Sequence, residues 1–260
     1  MFFQTAFSRG DQVLERAADL LNNKLSDNSI GAPEKTTTVS EQVSAAAAQL
    51  KDLSPSTAMG YGISSAAIAR ANLVSGDTAR AVEAYRTAIV RDPWNPRLRF
   101  EFARALQSAG ASGSEVMAAL RDALAVESQK TDPDLRRKIY ESLTYVALYQ
   151  PEPDGFTQAI FYGTAYTAEP TNLPSSVIWV NLAAAYGQQA RWTRTQEGQL
   201  DQLVRNRALE AAREAIRLDP AEKAFLASLF QADRPGEDDL AVFKDDEEFR
   251  QLLGLPKLNT

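Results

Sequence analysis

The sequence predicts an all-α fold, and three observations predict it. Trp179, Leu182, Ala183 and Tyr186 recur at i, i+3, i+4 and i+7, which places them on one face of a helix. Two distant segments share one pattern of small and aliphatic residues: Ala81-Val82-x2-Tyr85-x2-Ala88-Ile89-x3-Pro93 and Ala208-Leu209-x2-Ala212-x2-Ala215-Ile216-x3-Pro220. Four acidic–proline pairs, Asp92-Pro93, Asp132-Pro133, Glu169-Pro170 and Asp219-Pro220, follow alanine-rich runs. Proline cannot continue a helix and restrains the residue before it, so each pair reads as a helix end.

Composition narrows the function. The chain has 260 residues, 44% of them hydrophobic and 24% charged, enough for a sizeable core. No apolar run approaches the roughly eighteen residues of a membrane span, and the N-terminus carries no apolar stretch followed by a small-residue cleavage site. A cytoplasmic location is the expectation. Cysteine and histidine are both absent, which excludes disulfides, thiolate nucleophiles and imidazole bases. Between Asp233 and Arg250, eight acids face three bases, so −5 of the net −6 sits in one short stretch. The remainder, about −1, holds no basic stripe that could track phosphates, so nucleic acid is not an expected partner.

The elements follow in order. Residues 11–25 carry Val13, Ala17, Leu20, Leu21 and Leu25 on one stripe, giving an amphipathic N-terminal helix within 1–25. Residues 26–39 are polar, with Gly31 and Pro33, and read as a linker. A helix from Ser40 to about Leu53 opens a helical domain that runs from 40 to 260. Within it, helix pairs are expected at about 62–95, 96–132, 133–170 and 174–220, closed by a cap at 221–260. In the third pair, Leu135 to Tyr149 reads as a helix, and Pro151 to Gly155 as a long turn before Ala159, Tyr162 and Ala165. In the fourth, Arg191 to Arg207 reads as a polar loop leading into an extension of the second helix. The cap contains Asp239-Leu240-x2-Phe243-x5-Phe249-x2-Leu252-Leu253, and its carboxylates are expected on a solvated face.

The W-x2-L-A-x2-Y run from Trp179 to Tyr186 resembles the first helix of a tetratricopeptide repeat (TPR), and the two alanine patterns resemble its second helix. The resemblance is specific for the first and fourth pairs. The proline separations of 40, 37 and 50 residues exceed the roughly 34-residue repeat, so insertions are expected. The resemblance implies a right-handed TPR-like solenoid of antiparallel helix pairs, with an extra N-terminal helix and an acidic C-terminal cap. It implies a non-catalytic scaffold that captures a partner polypeptide segment in a concave groove lined by the first helices. The peptide-binding residues it implies are Arg70, Arg97, Phe100, Arg104, Tyr145 and Asn181. Asn181 stands where carboxylate-clamp members carry a backbone-binding asparagine. Ala66 and Arg70 replace other clamp residues, which argues against a chaperone-tail receptor.

No enzyme is expected, since no G-x-S-x-G elbow or ordered nucleophile–base pair is present. No metal or other cofactor is expected either. The carboxylates from Asp238 to Glu248 lack the glycine-centred spacing of a calcium loop, and Gly60-x-Gly62 has no third glycine for a dinucleotide. Two rival roles remain. The chain could self-associate as a homodimer, docking the Phe2, Phe3 and Phe7 helix on a mate, or serve as a regulatory or sensor module of an effector system. A membrane surface is disfavoured for that helix because its charges are balanced.

Overall fold

Ala81, Val82, Tyr85 and Ala88 are all buried, as are Ala208, Leu209, Ala212 and Ala215, so both alanine patterns form the inner faces of helices. A computed structural model of the protein describes residues 65–128, 131–231 and 238–257. The expected N-terminal helix (1–25), linker (26–39) and leading helix (40–53) lie outside the described residues. Among the described residues there are ten α-helices, one 3-10 turn and no strand. They fall in two compact units divided between Val126 and Glu127.

The first unit contains α1 (Ser65–Val74), α2 (Thr78–Arg91), α3 (Pro96–Ser108) and α4 (Gly113–Ala125). The second contains α5 (Pro133–Leu148), α6 (Asp154–Thr167), α7 (Ser176–Glu197), α8 (Gln202–Leu218) and α9 (Glu222–Gln231). It closes with a 3-10 turn at Ala241–Phe243 and α10 (Glu247–Leu253). Consecutive helices pack: α1 on α2, α2 on α3, α3 on α4, α5 on α6, α6 on α7 and α7 on α8. Turns of three to five residues join the members of each pair, short enough to fold each pair back on itself.

Side-chain caps set most helix starts. Asn95 accepts from the Arg97 and Leu98 amides ahead of Pro96, and Ser112 with Glu115 forms a reciprocal capping box on α4. Three acidic–proline pairs stand after helix ends as expected, with α2, α6 and α8 closing at Arg91, Thr167 and Leu218. Asp132-Pro133 does the opposite and opens α5. Asp132 accepts from the Asp134 amide and Pro133 takes the first helical position, where its missing N–H costs nothing. The long turn of the third pair is shorter than expected, because α6 begins at Asp154. Ala165 faces solvent, and Tyr166 is buried in its place.

The insertion in the fourth pair extends the second helix as expected, with α8 starting at Gln202 ahead of Ala208, but its first half differs. Arg191 to Glu197 continues α7 without a break, and only Gly198, with φ of 74°, stops it. Nothing in Arg-Trp-Thr-Arg-Thr-Gln-Glu breaks a helix, and the Trp192 ring packs 6.4 Å from Phe156. The helix is therefore 22 residues long. Its middle, Asn181 to Gln188, is buried on every side, as fits a helix of small and apolar residues at the centre of a unit. Close approach is possible because Gly163 of α6 has no side chain. A Cβ there would lie 2.7 Å from the Leu182 side chain.

The closing segment is more than a polar cover. Leu240, Phe243, Phe249 and Leu253 are buried in the same core as Leu182, Ala183 and Tyr186. The Phe243 and Phe249 rings stack at 4.7 Å. Its acids are tied to arginines: Asp246 holds Arg205 through two contacts of 2.6 Å, and Glu248 lies 2.8 Å from Arg213. The expected solvated acidic face is thus in part an ion-paired seam, while Asp245, Glu247 and Glu248 remain exposed; Asp233 and Glu237 of that stretch lie outside the described residues.

Asp246 gives this seam a pH dependence. Burial opposes its charge, but the Arg205 guanidinium and the α10 amides outweigh burial and hold the carboxyl below its usual value. A depressed carboxylate adds stability above its unfolded pKa, and the gain is lost as pH falls through the folded pKa. Wild-type protein is therefore expected to lose this contribution below about pH 4. Asp246→Asn should cost about 1.5–3 kcal/mol near neutral pH and flatten the acid limb of melting temperature against pH. Parallel acid limbs in the two proteins would contradict this.

Candidate functional site

In the second unit, α5 and α7 meet along a polar seam. Ser175, the N-cap of α7, donates from its hydroxyl to Glu141 at 2.7 Å. Asn181 donates to the Thr144 hydroxyl at 2.9 Å, and Gln188 donates to the Leu148 carbonyl at 3.2 Å. Glu141, Thr144 and Leu148 share one face of α5 by helical spacing. Burial raises the Glu141 carboxyl above its usual value, against the pull of Ser175 and Arg137.

The last rung of the seam opens into a cavity of about 230 Å³, lined by Leu148, Tyr149, Gln150, Glu152, Gln188, Arg191 and Asp239. Gln188 and Asp239 are each 7% exposed, and Gln188 Nε2 donates to Asp239 Oδ1 at 3.0 Å. Arg191 bridges Glu152 at 2.7 Å and Asp238 at 3.2 Å. Burial raises the Asp239 carboxyl above its usual value, and Gln188 and Arg191 only partly oppose it. The folded protein thus holds this proton more tightly than the unfolded chain, so Asp239 lowers stability as pH rises from the ordinary carboxylate range to its raised pKa. At the rim, Tyr149 is 64% exposed, and the ring of Tyr145, 46% exposed, packs against it with centroids 5.0 Å apart.

Of the residues expected to bind peptide, Tyr145 is exposed and packs its ring against Tyr149. Asn181 turns inward as a rung of the seam, so its amide holds two helices together rather than facing a ligand. In the first unit, Phe100 is buried in the core of α3. Arg70 is also committed inward: it forks Glu101 with contacts of 3.0 and 2.9 Å. Arg97 is exposed and Arg104 half-buried, both on α3. Phe100 and Asn181, expected on an outer face, are buried because these first helices are covered on more than one side.

The sequence reading missed Gln188, Arg191 and Asp239. The available signal was a glutamine pair within a run of alanines on α7, and an aspartate directly before the apolar Leu240. Gly187 has a further role: a Cβ there would fall 2.0 Å from the Asp239 carbonyl oxygen, so its bareness lets the closing segment reach α7.

What the described residues define is an all-helical chain of packed helix pairs, with a cavity walled by two helices and the closing segment. No family model matches the chain, and no curated protein matches it. Among the described residues, no helix is long and apolar enough to cross a membrane.

Proposed function

We propose that this chain is a TPR-like solenoid that acts as a non-catalytic scaffold and captures a segment of a partner polypeptide. The observation that carries this reading is the α5–α7 face of the second unit. Two helices that open successive pairs lie side by side there, as first helices do in such repeats, and they hold a cavity beside two exposed tyrosines. Aromatic rims beside small polar-walled cavities suit polypeptide recognition, since tyrosine contributes large contact area at low entropic cost. The buried runs from Ala81 to Ala88 and from Ala208 to Ala215 support the repeat reading.

The test is capture with full-length protein against a Tyr145→Ala/Tyr149→Ala variant. Both side chains are exposed, so the variant should keep its melting temperature. The expected result is a polypeptide retained stoichiometrically by the wild type and at least about tenfold more weakly by the variant. Equal retention by both would remove this face from the site.

A further inference from the structure

We propose that the cavity bounded by α5, α7 and the closing segment receives a cationic side chain, a lysine ammonium or arginine guanidinium, from the bound polypeptide. This deepens, and rests on, the scaffold function proposed above. Three features of the wall lead to it.

The first is an acceptor without a donor. Gln188 lines the cavity at 7% exposure, and its Oε1 has no hydrogen-bond partner among the described residues. Its Nε2 serves both the Leu148 carbonyl and Asp239 Oδ1, so turning the amide over would set its oxygen against two acceptors. The atom left over is therefore an acceptor, and a buried acceptor calls for a donor.

The second is the charge balance. Glu152 and Asp239 stand in the wall, Asp238 adjoins it, and among the described residues the one guanidinium lining it, Arg191, is shared between Glu152 and Asp238. A carboxylate or phosphate ligand would meet like charge. The Arg191 charge is matched by Glu152 and Asp238, so a further cation would meet Asp239 and the Gln188 acceptor, and it would offset the burial of Asp239. Ammonium and guanidinium groups carry several donors and no acceptor, matching a wall rich in acceptors.

The third is shape. About 230 Å³ has room for one long side chain. The Tyr149 ring at the rim offers an aromatic face along which the apolar stem of a lysine or arginine can lie while its head passes inward.

The test is selection of random dodecapeptides on the full-length chain, followed by affinity measurements on wild type, Glu152→Gln and Tyr149→Ala. Glu152→Gln removes one charge at nearly constant volume; should it melt early, the exposed Tyr149→Ala still reports on the rim. The expected result is enriched peptides with a lysine or arginine at one fixed position, bound about tenfold more weakly by either variant and more weakly in high salt. Enriched peptides without a basic residue, or with affinity indifferent to both variants, would overturn the cavity assignment and leave the scaffold reading standing. No enrichment at all would overturn both. Cadaverine titrated alone forms a separate arm: its binding without any peptide binder would assign the cavity to a free amine and overturn a polypeptide source.

Discussion

Arg70→Ala is expected to destabilise the first unit by about 3–5 kcal/mol, the cost of leaving one member of a buried ion pair alone. The Arg70 and Glu101 side chains are 10% and 9% exposed, and the guanidinium meets both carboxylate oxygens at 2.9 and 3.0 Å. Tyr85 lies beside them, its phenol held well above the usual value by burial and then by the Glu101 charge. Removing the guanidinium would leave Glu101 charged and desolvated between α1 and α3, so protonation or local opening must follow. Arg70→Met with Glu101→Leu should recover most of the loss, because an apolar pair of similar volume has no charge to desolvate. Urea unfolding of the three proteins measures this. A loss under about 1 kcal/mol in Arg70→Ala would mean that water reaches the pair. For the same reason, Arg70→Glu cannot serve as a probe of ligand binding: it would set two carboxylates together in the core.

Gly187→Ala carries the second large effect, and its sign is informative. Within a helix, alanine is favoured over glycine by about 1 kcal/mol. Here the added Cβ would lie 2.0 Å from the Asp239 carbonyl oxygen and 2.9 Å from its carbon. These are backbone atoms, and they cannot retreat without pulling Leu240 and Phe243 out of the core. Overpacking of this kind costs about 3 kcal/mol at the upper end of its usual range, which outweighs the propensity gain. The expected outcome is a lower melting temperature with faster amide exchange across 238–253. A rise in melting temperature would mean that the closing segment does not lie against α7.

What could be read from the chain was what repeats at short range. The runs from Ala81 to Ala88 and from Ala208 to Ala215 have a clean helical period, and they are buried along the predicted stripe. The Trp179 motif behaves alike, with Leu182, Ala183 and Tyr186 in the core. The closing motif was legible in its apolar positions but not in its acids, whose arginine partners Arg205 and Arg213 come from α8. Asp132-Pro133 was misread because an acidic–proline pair serves equally as the cap and first residue of a new helix. Arg191 to Glu197 was misread because polar residues without glycine or proline carry no stop signal. The cavity had no local signature at all. Leu148, Gln188 and Asp239 are brought together by three separate elements, and no period within one element connects them.

The central position of α7 bears on how the second unit comes apart. In a linear repeat array each module touches only its neighbours, and in a unit of two pairs and a closing segment α7 is neighbour to nearly every other element. Here one helix is in contact with α5, α6, α8, α9 and the 3-10 turn. Loss of any one of these strips the same rod, which leaves little room for stable half-melted forms. The region from Pro133 to Leu253 should consequently disappear in a single step on heating, and cutting it at a repeat boundary should yield fragments that aggregate rather than shorter folded pieces.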